Sequence, residues 1–254
     1  MSVLQLFELS GKKALVTGGA YGLGKAMARA LSEAGAEVGL LDISAELQAT
    51  AKELSSQKRK VVGIKTDLAH RKARKAAFAK YLKTFGTIDI LVNNAGITRR
   101  HAAEKFPLED WDDVLEINLT AVFELCQLAG KIMLEKGSGK IINVASLLSF
   151  SGGITVPAYA ASKGGVAQLT KSLANEWAGK GINVNAIAPG YMDTPLNAAL
   201  KKDRRRYRSI LERIPAGRWG QPQDLMGAVV FLASPASDYV NGTVLVVDGG
   251  FLGR

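Results

Sequence analysis

Lys13-Ala14-Leu15-Val16-Thr17-Gly18-Gly19-Ala20-Tyr21-Gly22-Leu23-Gly24 is the stretch that decides the fold. Its apolar start has the length of a buried strand, and helical spacing follows as far as Ala34, with Gly35 placed to cap it. Between them, Gly18-x-x-x-Gly22-x-Gly24 makes a turn tight enough to feed one element into the other. Such a turn lets a pyrophosphate approach the backbone and the N-terminus of the helix behind it. The next apolar run, residues 37–41, ends at Asp42, 18 residues beyond Gly24. At that spacing a carboxylate reaches the adenosine ribose hydroxyls of a dinucleotide. It would also repel a 2′-phosphate. No arginine occupies the glycine turn or directly follows Asp42, so NAD (NADH when reduced) is expected over NADP. The competing reading has Asp42 capping a helix that begins near Ala45, although Ser44 is better placed for that.

Further apolar runs occupy residues 61–65, 88–92, 140–144, 183–188 and 244–247. Helical spacing fills 45–55, 70–84, 108–135, the stretch through Tyr159 to Gly179, and 222–233. This alternation predicts an α/β fold: a doubly wound parallel sheet of about seven strands with helices on both faces. Strands this apolar suit a sheet buried on both sides. Right-handed crossovers then bring all strand C-termini to one edge, where ligands bind. Thr17, Asp42, Asp67, Asn93, Ser146 and Pro189 fall there. No glycine- or proline-rich linker, repeat or low-complexity segment interrupts the 254 residues, so a single domain is expected.

Tyr159-Ala160-Ala161-Ser162-Lys163 follows Ser146 by 13 residues. Residues four apart share a helix face, so Tyr159 and Lys163 project together. An ammonium beside a phenol favours the phenolate and lowers a pKa that starts near ~10. That suits proton exchange in alcohol–ketone interconversion. Ser146, at the end of a buried strand, is placed to hold a substrate oxygen. On the pair alone, a chance Tyr-x-x-x-Lys on an amphipathic helix is the alternative.

Apolar residues at 47% and 27 glycines indicate a globular chain rich in tight turns. No uncharged apolar run of 18 residues appears, so no membrane span is expected. Met1-Ser2-Val3-Leu4-Gln5 lacks the basic start of a secretory signal. The lone Cys126 leaves no internal disulfide and fits a reducing, cytoplasmic location. The net charge of +10 raises nucleic acid or acidic small molecules as partners. Its basic residues gather at 58–83 and 201–208, neither interleaved with aromatics as single-strand surfaces are, so no nucleic acid is expected. The first cluster reads as a solvated helix face. His70 and His101 stand apart from other ligand types, and no metal is assigned to either.

Together, the glycine turn, Asp67, Asn93-Asn94-Ala95-Gly96, Asn118, Ser146, Tyr159-x-x-x-Lys163 and Pro189-Gly190 stand in the order and spacing of one family. From end to end the chain resembles a short-chain dehydrogenase/reductase. The resemblance implies a Rossmann-type domain over residues 1–254 with a substrate lid around 191–218. It makes Tyr159 the proton donor or acceptor, with Ser146 positioning the substrate oxygen. Lys163 would lower the tyrosine pKa and hold the nicotinamide ribose, and Asn118 would support the relay through a water. Cofactor contacts are implied for Gly18, Tyr21, Gly22, Leu23, Gly24 and Asp42, and for Asp67 and Leu68 at the adenine. Asn93, Asn94, Ala95 and Gly96 would shape the cofactor's middle. Tyr159 and Lys163 would meet its nicotinamide end, and Pro189, Gly190, Met192 and Thr194 the carboxamide.

Within that family, Asn175-Glu176-Trp177-Ala178, residues 213–220 and Val247-Asp248-Gly249-Gly250 resemble the sugar-acid dehydrogenases. Residues 149–153 and Val156-Pro157 fit one group of these, whereas Thr194-Pro195 leans toward its neighbour. The implied reaction interconverts a secondary alcohol and a ketone on a hexonate-type sugar acid. Arg99 and Arg100 follow the fourth strand, and a guanidinium matches a carboxylate bidentately; an ordinary exposed basic loop is the alternative. Substrate contacts are expected from Arg100, Arg99, Ser146, Leu148, Tyr159 and Tyr191. Residues 201–208 either steer an anionic substrate or form a solvated helix. The apolar tail, with Phe251 and Leu252, is expected to pack between subunits of a homotetramer. Rival readings are another polyol or a 3-oxoacyl substrate on the same fold, or an idle dinucleotide-sensing or nucleic-acid-binding module. The set Asn118, Ser146, Tyr159 and Lys163 argues against idleness.

Overall fold

The computed structural model describes residues 2–57 and 59–254; Met1 and Lys58, the latter in the first basic cluster, lie outside the described residues. The first half runs β1 (Lys13–Thr17), α1 (Gly22–Glu33), β2 (Glu37–Asp42), α2 (Leu47–Leu54), β3 (Val61–Lys65), α3 (Arg71–Phe85) and β4 (Ile90–Asn93). Then come α4 (Leu108–Leu115), α5 (Ala121–Lys136), β5 (Gly139–Val144), α6 (Pro157–Trp177) and β6 (Ile182–Pro189). The chain continues with α7 (Ala198–Lys202), α8 (Arg204–Leu211), α9 (Met226–Ala233) and β7 (Val244–Val247). The seven strands form one sheet in the order 3-2-1-4-5-6-7, each neighbouring pair parallel. The winding direction reverses between β1 and β4, the kind of switch point where open α/β sheets bind ligands.

Alternation along the strands divides the core in two. Leu15, Leu91 and Ile141 pack on one face with Phe78 and Tyr81 of α3, Leu125 of α5 and Val166 of α6. Val16, Val92 and Ile142 pack on the other with Leu31 of α1, Leu47 of α2 and Leu232 of α9. Leu108–Lys136 is long and apolar enough to cross a membrane. Here Leu125, Cys126, Ala129 and Met133 are wholly buried in the sheet core instead.

Two expectations change. The helix read over 108–135 is interrupted by a π-helical turn, Glu116–Thr120, which separates α4 from α5. Phe251 is buried within its own chain rather than awaiting a second subunit. It is 4% exposed, in a cluster with Leu147, Leu200, Ile210, Ile214 and Trp219, and Arg213 lies 4.2 Å over its ring. The cluster that covers it is the underside of the segment holding α7 and α8.

Candidate active site

A cleft of about 510 Å³ follows the sheet edge at which the strands end, within the size range of ligand sites. Its floor at one end is the glycine turn. Gly18 has φ +64°, and a Cβ on Gly24 would stand 2.0 Å from the Gly18 carbonyl oxygen, so both positions exclude side chains. α1 starts without a side-chain cap and without an acid in its first turn, and Gly22 and Leu23 line the cleft. Unpaired N–H groups at the positive end of a helix fit a dinucleotide's pyrophosphate. Asn94 braces the turn: its Nδ2 donates to the carbonyls of Thr17 and Gly18 at 2.9 and 3.1 Å. Thr17 Oγ1 accepts the N–H groups of Asn94 and Ala95, each at 3.0 Å.

Asn93 does not belong with them. It is the last residue of β4 and lies two positions beyond Leu91, so its side chain turns into the core, donating to Asn143 Oδ1 at 2.9 Å. The expectation that Asn93 shapes the cofactor's middle is corrected; Asn94, Ala95 and Gly96 line the cleft.

Asp42 lines the cleft together with Tyr21, Ile43, Thr66, Asp67 and Leu68, none of them basic. Its carboxylate also has local work: Oδ2 accepts the Ala20 N–H at 3.0 Å and Oδ1 the Ser44 N–H at 2.9 Å. Behind Leu68 lies Arg74, fully buried on α3. It donates to the Leu68 carbonyl and pairs with Glu116 and Glu124, each at 2.6 Å. Glu116 opens the π turn, so one guanidinium joins the Leu68 backbone to the segment bearing Asn118. Nothing in the sequence pattern marked Arg74.

The four proposed catalytic residues come from three elements that converge behind and beside Gly96. Asn118 does not line the cleft but stands behind it, wholly buried in the π turn. Its amide bonds both the N–H and the carbonyl of Ile97, and also Ser162 Oγ at 3.1 Å. Ser146, two residues past β5, caps a short 3₁₀ turn (Leu147–Ser149) and accepts the Leu148 N–H at 3.1 Å. Ser149 ties this turn to α6 by donating to the Lys163 carbonyl at 2.7 Å. Tyr159 and Lys163 both face the cleft from α6.

Electrostatics differ from the sequence expectation in one respect. Burial pushes the Tyr159 phenol above its ordinary value, while a hydrogen bond with Ser146 and the charge of Arg100 pull it back. Lys163 Nζ donates to the Val144 carbonyl at 2.6 Å and lies 5.8 Å from the Tyr159 ring centroid. Burial lowers Lys163 itself to about 8.

Pro189, Gly190, Tyr191, Met192, Thr194, Leu148, Arg99 and Arg100 also line the cleft, with Thr194 Cγ2 3.9 Å from where a Cβ on Gly22 would stand. Arg99 is partly neutralised by Asp110 at 3.2 Å. Arg100 is half-buried and has no acidic partner among the described residues. Thr98 and Arg206 are among the lining residues that the sequence reading did not single out. Thr98 buries a hydroxyl without a partner, and Arg206 reaches the cleft from α8. The i, i+4 relation of Arg206 to the apolar Ile210 was the available signal for the second. His101 bonds Asp110 at 2.6 Å outside the cleft.

A seven-stranded parallel sheet with a glycine turn at its switch point, and serine, tyrosine and lysine gathered at the same edge, defines a class. The chain belongs to the short-chain dehydrogenase/reductase family, oxidoreductases acting on CH–OH groups with NAD(P). A family model described as enoyl-(acyl carrier protein) reductase matches residues 18–252. The 2-dehydro-3-deoxy-D-gluconate 5-dehydrogenase of Bacillus subtilis is 53% identical over 98% of this chain and 97% of its own. A solved chain from Agrobacterium tumefaciens, assigned as a 2-deoxy-D-gluconate 3-dehydrogenase with bound NADP, is 51% identical with a TM-score of 0.91, covering 98% of this chain and 99% of that one. The gluconate 5-dehydrogenase of Burkholderia cenocepacia, solved with NADP and tartrate, is 41% identical with a TM-score of 0.95 and full coverage of both chains (100% each).

Proposed function

We propose that this chain is an NAD(P)-dependent dehydrogenase that interconverts a secondary alcohol and a ketone on a hexonate-type sugar acid. The observation that carries the reading is Arg100, a half-buried guanidinium without an acidic partner among the described residues, opening on the same cleft as Ser146, Tyr159 and Lys163. A carboxylate is the group such a fork accepts. The likeness to the Bacillus subtilis 2-dehydro-3-deoxy-D-gluconate 5-dehydrogenase supports the same substrate class. A gluconate 5-dehydrogenase activity is the second reading, favoured by Thr194-Pro195 and by the likeness to the Burkholderia enzyme.

Bound at the glycine turn, the nicotinamide cofactor supplies the hydride donor or acceptor. The chain's own residues do the rest. Ser146 Oγ holds the substrate oxygen, and Tyr159 moves the proton. A phenol raised by burial is held protonated near neutral pH, which keeps its proton in place for reduction of a ketone. Lys163 holds the ribose and keeps positive charge beside the ring, while Asn118 fixes the backbone behind them. Asp42, and the lack of a basic side chain beside it among the described residues lining the cleft, favour NAD(H), although the Agrobacterium and Burkholderia relatives were solved with NADP. The segment around 191–218 serves as the substrate lid of a single domain spanning residues 1–254. We also read the protein as a cytoplasmic homotetramer.

Tyr159→Phe tests the proposal. Turnover of 2-dehydro-3-deoxy-D-gluconate should nearly vanish while NADH binding, followed by fluorescence, persists. A residual rate above roughly a tenth of wild type would remove Tyr159 from proton transfer, since such groups supply ~10²–10⁴-fold.

A further inference from the structure

We infer that Arg206 is the second arm of the carboxylate site, closing from the lid onto the acid group that Arg100 holds, so that the pair selects an anionic substrate. This rests on the sugar-acid reading above. The basic run at the start of α8 looks uniform in sequence, but the fold separates its members. Arg204, Arg205 and Arg208 are exposed, whereas Arg206 is partly buried and lines the cleft with Arg100. Asp203 fixes where the helix starts, accepting the N–H groups of Arg205 and Arg206 at 3.0 Å each. Tyr207 then stacks on Trp219 with centroids 5.4 Å apart and planes 11° from parallel, which sets the rotation of the helix. Ile210, on Arg206's side at i+4, is buried beneath.

Neighbouring cations are neutralised: Lys201 by Asp193 at 2.6 Å, Arg218 by Asp224 at 2.6 Å and Arg99 by Asp110. Among the described residues, neither Arg100 nor Arg206 has such a partner. They are close enough to repel, and after burial the charge of Arg206 is the next influence lowering the Arg100 guanidinium. Two like charges facing across a cleft oppose closure of the lid; a carboxylate between them turns that opposition into a clamp. A neutral substrate cannot, so selectivity follows from the lid as well as from the floor.

The test compares kcat/KM for 2-dehydro-3-deoxy-D-gluconate and for its uncharged C1 amide. Wild type should prefer the acid, and Arg206→Ala should cut the acid-to-amide ratio about tenfold or more, the size of a charged hydrogen bond. Arg206→Lys should keep part of that ratio, and Arg204→Ala and Arg205→Ala should leave it within about twofold of wild type. If Arg206→Ala lowers both rates equally, or neither, the inference is overturned. Should Arg100→Ala lose the preference while Arg206→Ala keeps it, the sugar-acid reading stands and only the lid arm falls. A wild type that does not distinguish acid from amide would instead bring down the sugar-acid reading itself.

Discussion

Asn118 engages both polar groups of one residue: its Oδ1 accepts the N–H of Ile97 and its Nδ2 donates to the Ile97 carbonyl, each at 2.9 Å. Ile97 directly follows Gly96 on the cleft wall, so the wall's backbone is fixed by a side chain a layer behind it. The π turn is what places that amide there, a use such turns often serve at functional sites.

Asn118→Leu would leave two backbone groups without partners. The expected cost is roughly 2–6 kcal/mol, from about 1–3 for each unsatisfied group, measured by urea unfolding. Activity assayed where the variant is fully folded should fall further than Ile97's displacement alone would require. A variant of wild-type stability would show that water replaces the amide.

Lys163 carries a pH signature. Burial takes its ammonium from 10.5 to about 8, so the unfolded chain holds the proton more tightly than the folded one. The penalty is present in full below about pH 8, and wild type regains stability as pH rises from there toward 10.5. Lys163→Met lacks this dependence. Its stability relative to wild type should therefore decline across that window, by on the order of 1–3 kcal/mol, while it remains inactive throughout. A difference that is flat with pH would place the charge elsewhere.

The proposed role of Asp42 at the adenosine ribose predicts a cofactor preference. Wild type should use NAD(H) better than NADP(H), and Asp42→Ala should narrow the gap by removing a charge that repels the 2′-phosphate. Equal use of both cofactors by wild type would sink the assignment. The variant should also lose roughly 1–3 kcal/mol of stability, because the Ala20 and Ser44 N–H groups lose their acceptor.

Tyr207→Ala should loosen the lid. An aromatic pair contributes about 0.5–1.5 kcal/mol, so KM for the acid should rise roughly two- to tenfold while the Kd for NADH stays put. Trypsin should cut faster within residues 201–208. Unchanged cleavage would mean that Leu200 and Ile210 hold the lid without the stack.

Much of this was legible in the chain because parallel strands buried on both faces are continuous apolar runs that punctuate themselves. The edge position of Asp42, Ser146 and Pro189 followed from connection handedness alone. Asn93 shows a signal that was present and misapplied: counting two from Leu91 sends it into the core. The π turn was not legible, because one extra residue in a helical turn leaves the surrounding apolar spacing almost intact. Arg74 was hidden for another reason. Its partners, Glu116 and Glu124, lie 42 and 50 residues away, and nothing local distinguishes it from the exposed bases beside it. Phe251 looked unpartnered only because its cover, α8 and Trp219, reads as polar, basic sequence.

The double duty of Asp42 bears on how such a chain could change over generations. The oxygens proposed to meet the adenosine ribose also hold the Ala20 and Ser44 amides, so discrimination and turn geometry share one side chain. A mutational path toward the phosphorylated dinucleotide cannot simply delete the carboxylate without unsettling the loop that binds either form. Asparagine sheds the charge but keeps only one of the two accepting oxygens, so either the Ala20 or the Ser44 N–H would face an NH2 group; Asp42→Asn is therefore a milder step than alanine, which removes both acceptors. Lineages that cross between cofactors at this position should carry that intermediate, or a second change beside Ala20 or Ser44, as the trace of the crossing.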